Sequence, residues 1–217
     1  MTFTTDMTTF EQRQRAVDEA DSAQALLDAV EDLAALQDER AIPTLIQVLG
    51  FNNPGAAVAA VDGLIRIGIP SIEPLLTKLD NYNYGARAWA IRALAGIGDP
   101  RGQTLLLDAA ARDFSLSVRR AAARGLGTIR WTMLEPGERP QAKARSQQTL
   151  IQVTTDEEWV VRYAAVVGLE QLALTLQEYH DIQQRLREVA QNDDTLTVRA
   201  RAQLALRQLS ASSSPSD

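Results

Sequence analysis

The chain has 217 residues, 45% of them hydrophobic, and a formal net charge of −6. It has no cysteine, which excludes disulfides, thiolate zinc sites and a cysteine nucleophile; a single histidine, His180, argues against a transition-metal site. No window reaches the roughly 20 apolar residues that span a bilayer, the N-terminus has neither the basic nor the apolar part of a secretory signal, and an acidic chain without a recognisable binding fold argues against nucleic acid. The expectation is a cytoplasmic protein with no metal, no cofactor of its own and no membrane insertion.

The charge is unevenly placed. Residues 1–39 carry a net −8, while residues 85–130 carry a net +5 from eight arginines and three aspartates. Lys78 and Lys143 are the only lysines, so the basic chemistry is that of the planar guanidinium, which meets carboxylates in pairs of parallel hydrogen bonds.

In chain order, residues 1–21 are polar, acidic and Thr-rich and read as a partly helical N-terminal extension, with a helix from about Phe10. Ala25–Leu33 is apolar at i, i+1, i+4, i+5 and i+8, one face of an amphipathic helix. Pro43 suits the first turn of a helix that stops at Gly50. A repeat then sets in. With Ala56, Ala86, Val118, Val161 and Val198 as position zero, position four is Ala60, Ala90, Ala122, Ala165 and Ala202. Position eight is Leu64, Leu94, Leu126, Leu169 and Leu206, and Ala25, Ala29 and Leu33 make a degenerate sixth copy. The intervals are 30, 32, 43 and 37 residues, room for two antiparallel helices and two turns.

Partner helices are expected at Ile42–Leu49, Ile72–Leu79, Arg101–Ala110, Ala144–Val153 and Ile182–Ala190, each preceding its second helix. Small Ala at position four allows close helix approach, and the zero/four/eight ridge packs on the next pair. Position one is Arg87, Arg119, Arg162 and Arg199; five residues before zero stand Asn81, Asp113, Asp156 and Asp193. Such an Asx residue can cap the second helix or accept from an arginine of its own or the neighbouring repeat. The predicted fold is all-α, a right-handed α-solenoid of five to six helix pairs over residues 22–209. A Ser-rich tail, 210–217, is expected to be disordered, and the longest interval holds a Pro/Gly-bearing insertion, Trp131–Pro140.

The pattern Asp-x5-Val-Arg-x2-Ala-x3-Leu, continued by Gly-Ile-Gly-Asp at 96–99, resembles the HEAT family in its PBS-lyase-like branch, over about residues 22–209. No nucleophile elbow, P-loop or His-Glu-x-x-His is present, and no residue receives a catalytic role. Gly96-Ile97-Gly98 ends a helix and reads as a C-cap.

At about 100° per residue, positions two and six lie opposite the core ridge. Position six reads Asp62, Arg92, Arg124, Val167, Leu204; position two reads Val58, Ala88, Arg120, Tyr163, Ala200. The second helices should therefore expose a central arginine cluster between Asp62 and an apolar edge, with Trp89 on its flank. Tyr84, Leu116, Trp159 and Leu196, two before zero, are expected to anchor turns in the core. Tyr82 and Trp131 serve no repeat position and are assigned to partner binding.

Asn52–Leu64, Tyr84–Gly102 and Trp159–Ala165 are similar to the F subunits of the E/F-type phycobilin lyases of cyanobacteria. The resemblance implies a heterodimer with an E-type subunit that attaches phycocyanobilin through a thioether to a cysteine of the phycocyanin α subunit. It also associates bilin isomerisation with a His-Cys motif, absent here, which implies attachment alone. A bilin offers two propionates to arginines and pyrrole N–H groups to a carboxylate. The periodicity therefore nominates Asp62, Trp89, Arg92, Arg120, Arg124 and Tyr163 as bilin-binding. The alternatives are a non-enzymatic HEAT adaptor for phycobiliproteins, of the phycobilisome-degradation type, and a generic scaffold.

Overall fold

The computed structural model describes residues 8–78 and 84–212. Among these the chain forms twelve α-helices and no strand, and it divides into two compact units between Ile97 and Gly98. The first unit holds α1 (Thr9–Asp18), α2 (Ala23–Ala35), α3 (Ile42–Val48), α4 (Pro54–Ile67), α5 (Ile72–Lys78) and α6 (Tyr84–Ile97). Local chemistry sets the helix starts. Thr8 and Glu11 close a capping box on α1, Thr8 N–H donating to Glu11 Oε2 at 2.9 Å and Glu11 N–H to Thr8 Oγ1 at 3.3 Å. Asn53 Oδ1 accepts from Ala56 N–H at 3.0 Å, and its amide donates to Ala23 O at 2.9 Å, tying the start of α4 to that of α2.

Helices α2, α4 and α6 lie side by side, with α3 packed on α4 and α5 on α6. Positions zero, four and eight of α4 and α6 are buried, as the repeat predicts. The degenerate copy holds only at Leu33: the buried residues of α2 are Val30, Leu33 and Ala34, while Ala25 and Ala29 are half-buried. Helix α2 packs against both α1 and α4, so its apolar stripe is rotated to serve two neighbours. The acidic N-terminal segment thus enters the unit through Phe10 and Val17 of α1, both buried.

The second unit holds α7 (Gln103–Arg112), α8 (Leu116–Gly127), α9 (Arg139–Val153), α10 (Trp159–Ala173), α11 (His180–Asn192) and α12 (Leu196–Ser212). Helices α8, α10 and α12 form one layer, backed by α7, α9 and α11. Helix α9 begins five residues earlier than the expected Ala144. Pro140 pre-sets its first turn, and the Arg139 guanidinium donates to Leu134 O (2.9 Å) and Thr132 O (3.2 Å), folding the insertion back onto the helix start. The stop after α6 is as expected, with Gly98 at φ +68° and its carbonyl accepting from Arg130 N–H at 2.8 Å. Helix α12 continues through Ser210–Ser212, so part of the expected tail is helical; residues 213–217 lie outside the described residues.

Glycines let α8 and α10 touch backbone to backbone. A Cβ on Gly127 would stand 2.4 Å from Gly168 O and 2.6 Å from Gly168 Cα, and one on Gly168 would stand 2.5 Å from Ala123 O. Gly127→Ala should therefore lower unfolding stability by about 2 kcal/mol, the upper range of overpacking costs less the helix-propensity gain of alanine. Urea unfolding measures it; an unchanged midpoint would mean that the two helices have room to part.

Among the described residues no single helix is long and apolar enough to cross a membrane. Only the pair Pro54–Ile67 and Ile69–Thr77, bent by 118°, has that length and composition together, and most apolar residues of α4 are buried inside the first unit.

Candidate functional site

The arginines of the second helices do two different jobs. Those at position one are locked. Arg119 on α8 gives Nε and Nη2 to the Asp156 carboxylate at 2.7 and 3.0 Å, and Nη1 to Asp113 O at 2.9 Å. Arg162 on α10 repeats this with Asp193 (2.8 and 3.1 Å) and Asp156 O (2.9 Å), and adds Asp194 and Thr195. Each guanidinium thus binds the carboxylate of the following repeat and the carbonyl of its own, which settles the choice the sequence left open. The aspartates also hold their own turns, since Asp113, Asp156 and Asp193 accept from the N–H two residues on, each at 2.9 Å.

Both members of these pairs are largely buried. Hydrogen bonding by Asp156 and Asp193 raises the pKa of Arg119 and Arg162, respectively. Burial pushes the Asp193 carboxyl up, but the bonds from Arg162 and the Thr195 N–H outweigh it and hold the group below the usual carboxylate range.

The arginines at positions two and six make no ion pair among the described residues. Arg120 and Arg124 are exposed one turn apart on α8, with no ion-pair partner among the described residues. Two like charges at i and i+4 repel by a few tenths of a kcal/mol, a cost that the fold does not offset locally. Arg92 on α6 is also exposed and lies over the Trp89 ring, 5.6 Å from its centroid. Asp62 is exposed on the neighbouring α4, and Tyr163 is half-buried on α10, beside α8. The structure thus brings Trp89 and Arg92 into contact in the first unit, with Asp62 on the adjacent helix. In the second unit it puts Arg120 and Arg124 on the helix next to that of Tyr163.

Two expectations need revision. Trp131 is 4% exposed, packed in a one-turn 3-10 helix (Trp131–Met133), and its ring is no surface for a partner. Its Nε1–H is buried without an acceptor. Tyr82 lies outside the described residues. Leu116, Trp159 and Leu196 are 42, 44 and 70% exposed rather than core, while the side chain of Tyr84 is not described. The physical reason is rotation: a residue two before zero lies about 160° from position zero and about 120° from the centre of the core ridge, on the side of positions two and six. These residues extend the exposed stripe by one turn, giving Leu116, Arg120, Arg124 on α8, then Trp159, Tyr163, Val167 on α10, then Leu196, Ala200, Leu204 on α12. In the second unit the face is basic along α8 and apolar across α10 and α12. The four-residue spacing carried that signal.

Also missed is the Glu170–Arg201 ion pair, which joins α10 to α12 with both side chains nearly buried. His180 is exposed at the first position of α11, and among the described residues no three His, Asp or Glu groups converge as metal ligands.

Paired helices, a buried zero/four/eight ridge and Arg–Asp rungs between successive turns define a HEAT-repeat protein. A model for HEAT repeats matches residues 72–137 and 106–207, and one for the PBS lyase HEAT-like repeat matches residues 23–51. The chain is 58% identical to the phycocyanin alpha phycocyanobilin lyase CpcF of Synechocystis sp., over 76% of this chain and 77% of that one. It is 52% identical to the phycocyanobilin lyase subunit beta of Pseudanabaena tenuis, over 90% and 71%. In solved structures it is similar to a chain of the CpcE–CpcF phycocyanin lyase complex from Nostoc sp., with TM-score 0.74 and 48% identity over 77% of this chain and 99% of that one. The chain belongs to the phycocyanobilin lyase beta-subunit family.

Proposed function

We propose that this chain is the F-type subunit of a heterodimeric lyase that attaches phycocyanobilin by a thioether bond to a cysteine of the phycocyanin α subunit. It works in the cytoplasm, joined to an E-type subunit and without a cofactor of its own. The reaction is an addition: the acceptor's sulfur forms a C–S bond to the bilin, the thiol proton ends on the bilin, and nothing leaves. A chain without cysteine is sufficient, because the acceptor supplies the nucleophile. What remains for the lyase is to hold a long, flexible tetrapyrrole in one presentation, and such positioning is worth several kcal/mol of barrier.

One observation carries this reading: Arg92, Arg120 and Arg124 are exposed with no ion-pair partner among the described residues, while other arginines of α8 and α10 are locked into the fold. Two propionates would satisfy such guanidinium groups. Trp89 and the apolar half of the face, with Tyr163, would support the rings, and Asp62 would meet the pyrrole N–H groups. With no cysteine to complete a His-Cys motif, the bilin is attached without isomerisation.

Co-expression of this chain with an E-type subunit, apo-phycocyanin α and a bilin source tests the activity. Covalent, zinc-fluorescent phycocyanin α should form only when both subunits are present. Equal attachment without this chain would remove the lyase reading and leave the adaptor.

A further inference from the structure

Among the described residues the last of the Arg–Asp rungs is incomplete. Arg199 on α12 occupies the same repeat position as Arg119 and Arg162, and its Nη1 donates to Asp193 O at 2.6 Å as theirs donate to Asp113 O and Asp156 O. In Arg119 and Arg162 the Nε and Nη2 edge is filled by the aspartate of the following repeat. In Arg199 that edge has no partner among the described residues, although the guanidinium is held in place from behind and the residue is half-buried.

Two further differences occur on the same helix. Leu206, at position eight, is half-buried where Leu126 and Leu169 are fully buried. Leu196 is 70% exposed where its counterparts Leu116 and Trp159 are 42 and 44%. Helix α12 also carries Arg199, Arg201 and Arg207 and no acid; Arg201 is consumed by Glu170, and Arg207 is exposed with no ion-pair partner among the described residues. This is a basic helix face with a preformed carboxylate fork and apolar residues short of cover.

We propose that this face of α12 is the docking surface for the E-type subunit, which supplies a carboxylate to the Nε/Nη2 edge of Arg199 and apolar cover for Leu206. The inference rests on the heterodimer reading above. Chemically it requires an acidic, helical partner surface: a carboxylate reaching Arg199 as Asp156 reaches Arg119, a second acid within reach of Arg207, and aliphatic side chains between them. A bidentate Arg–carboxylate pair closed off from water by such contacts fixes register as well as adding affinity.

The test is the affinity of the full chain for the E-type subunit, by titration calorimetry, for wild type, Arg199→Ala, Arg199→Lys and the exposed control Arg112→Ala. The proposal predicts at least tenfold weaker binding for Arg199→Ala, intermediate binding for Arg199→Lys, which cannot form the fork, and no change for the control. The free variants should melt close to wild type, since Arg199→Ala loses the bond to Asp193 O but breaks no bidentate rung among the described residues. Wild-type affinity in Arg199→Ala overturns the proposal while leaving the heterodimer intact; no binding by wild type defeats the heterodimer reading itself. A large loss of melting temperature in Arg199→Ala would make the residue structural and would also overturn it. So would tighter binding after removal of residues 213–217 that depends on Arg199, because the chain's own terminus would then be the occupant.

Discussion

Arg162→Ala should cost about 3 kcal/mol of folding stability, measured by urea unfolding at neutral pH. The substitution removes two bonds to Asp193, one each to Asp194 and Thr195, and two to the carbonyls of Asp156 and Glu157. It leaves a carboxylate side chain that is only 5% exposed without its counter-charge. Breaking one side of a buried pair is far more costly than losing an exposed one. Arg112→Ala, whose partner Asp108 is 56% exposed, should stay within about 0.5 kcal/mol of wild type.

The effect has a pH signature. The Asp193 carboxyl is depressed in the folded wild type, so its contribution is present above the unfolded carboxylate pKa of about 4 and is lost as pH falls through the lower folded value. In Arg162→Ala the Arg162 contribution is gone and only burial, the Thr195 N–H and the Asp194 side chain remain, so acid removes much less of that contribution. The stability gap between wild type and variant should narrow below about pH 4. A gap that stays constant to pH 3 would mean that Arg162 acts by packing alone.

The second large effect separates function from fold. Replacing Arg92, Arg120 and Arg124 by alanine should reduce phycocyanobilin attachment by about ten- to a hundredfold, the loss of roughly 1–3 kcal/mol from charge-assisted bonds to two propionates. Stability should be nearly unchanged, the lost Arg92–Trp89 stacking being roughly offset elsewhere. None of the three has an ion-pair partner among the described residues, and the change relieves the Arg120–Arg124 repulsion at i, i+4. A fall in melting temperature comparable to that of Arg162→Ala would place these arginines in the scaffold.

The contrast between these arginines defines what a sequence can disclose here. The zero/four/eight ridge is legible because a 3.6-residue period with alanine at its centre admits one buried face. Of the fifteen second-helix residues from Ala56 onward at positions zero, four and eight, all are buried except Leu206, where no following pair covers it among the described residues. The partner of each position-one arginine was not legible, because it depends on how one repeat rotates over the next. Leu116, Trp159 and Leu196 were misread for a simpler reason: apolar residues near a turn look like anchors unless their rotation from the ridge is counted. Trp131 was misread because an insertion has no repeat position to argue from; its burial follows from the fold of 131–140 onto α9. Arg199 is a case where the spacing was visible and the consequence was not, since Asp193 is the last acid at the repeated place.

Under the proposed function the bilin is held by Arg92, Arg120 and Arg124, which have no ion-pair partner among the described residues. Titrating phycocyanobilin into the purified heterodimer, followed by its absorption change, tests that claim without the chemistry of attachment. The wild-type complex should bind at least tenfold more tightly than the complex carrying Arg92, Arg120 and Arg124 as alanine, and a triple lysine variant should lie between them. Equal dissociation constants for the wild-type and triple alanine complexes, with the heterodimer intact in both, would contradict it.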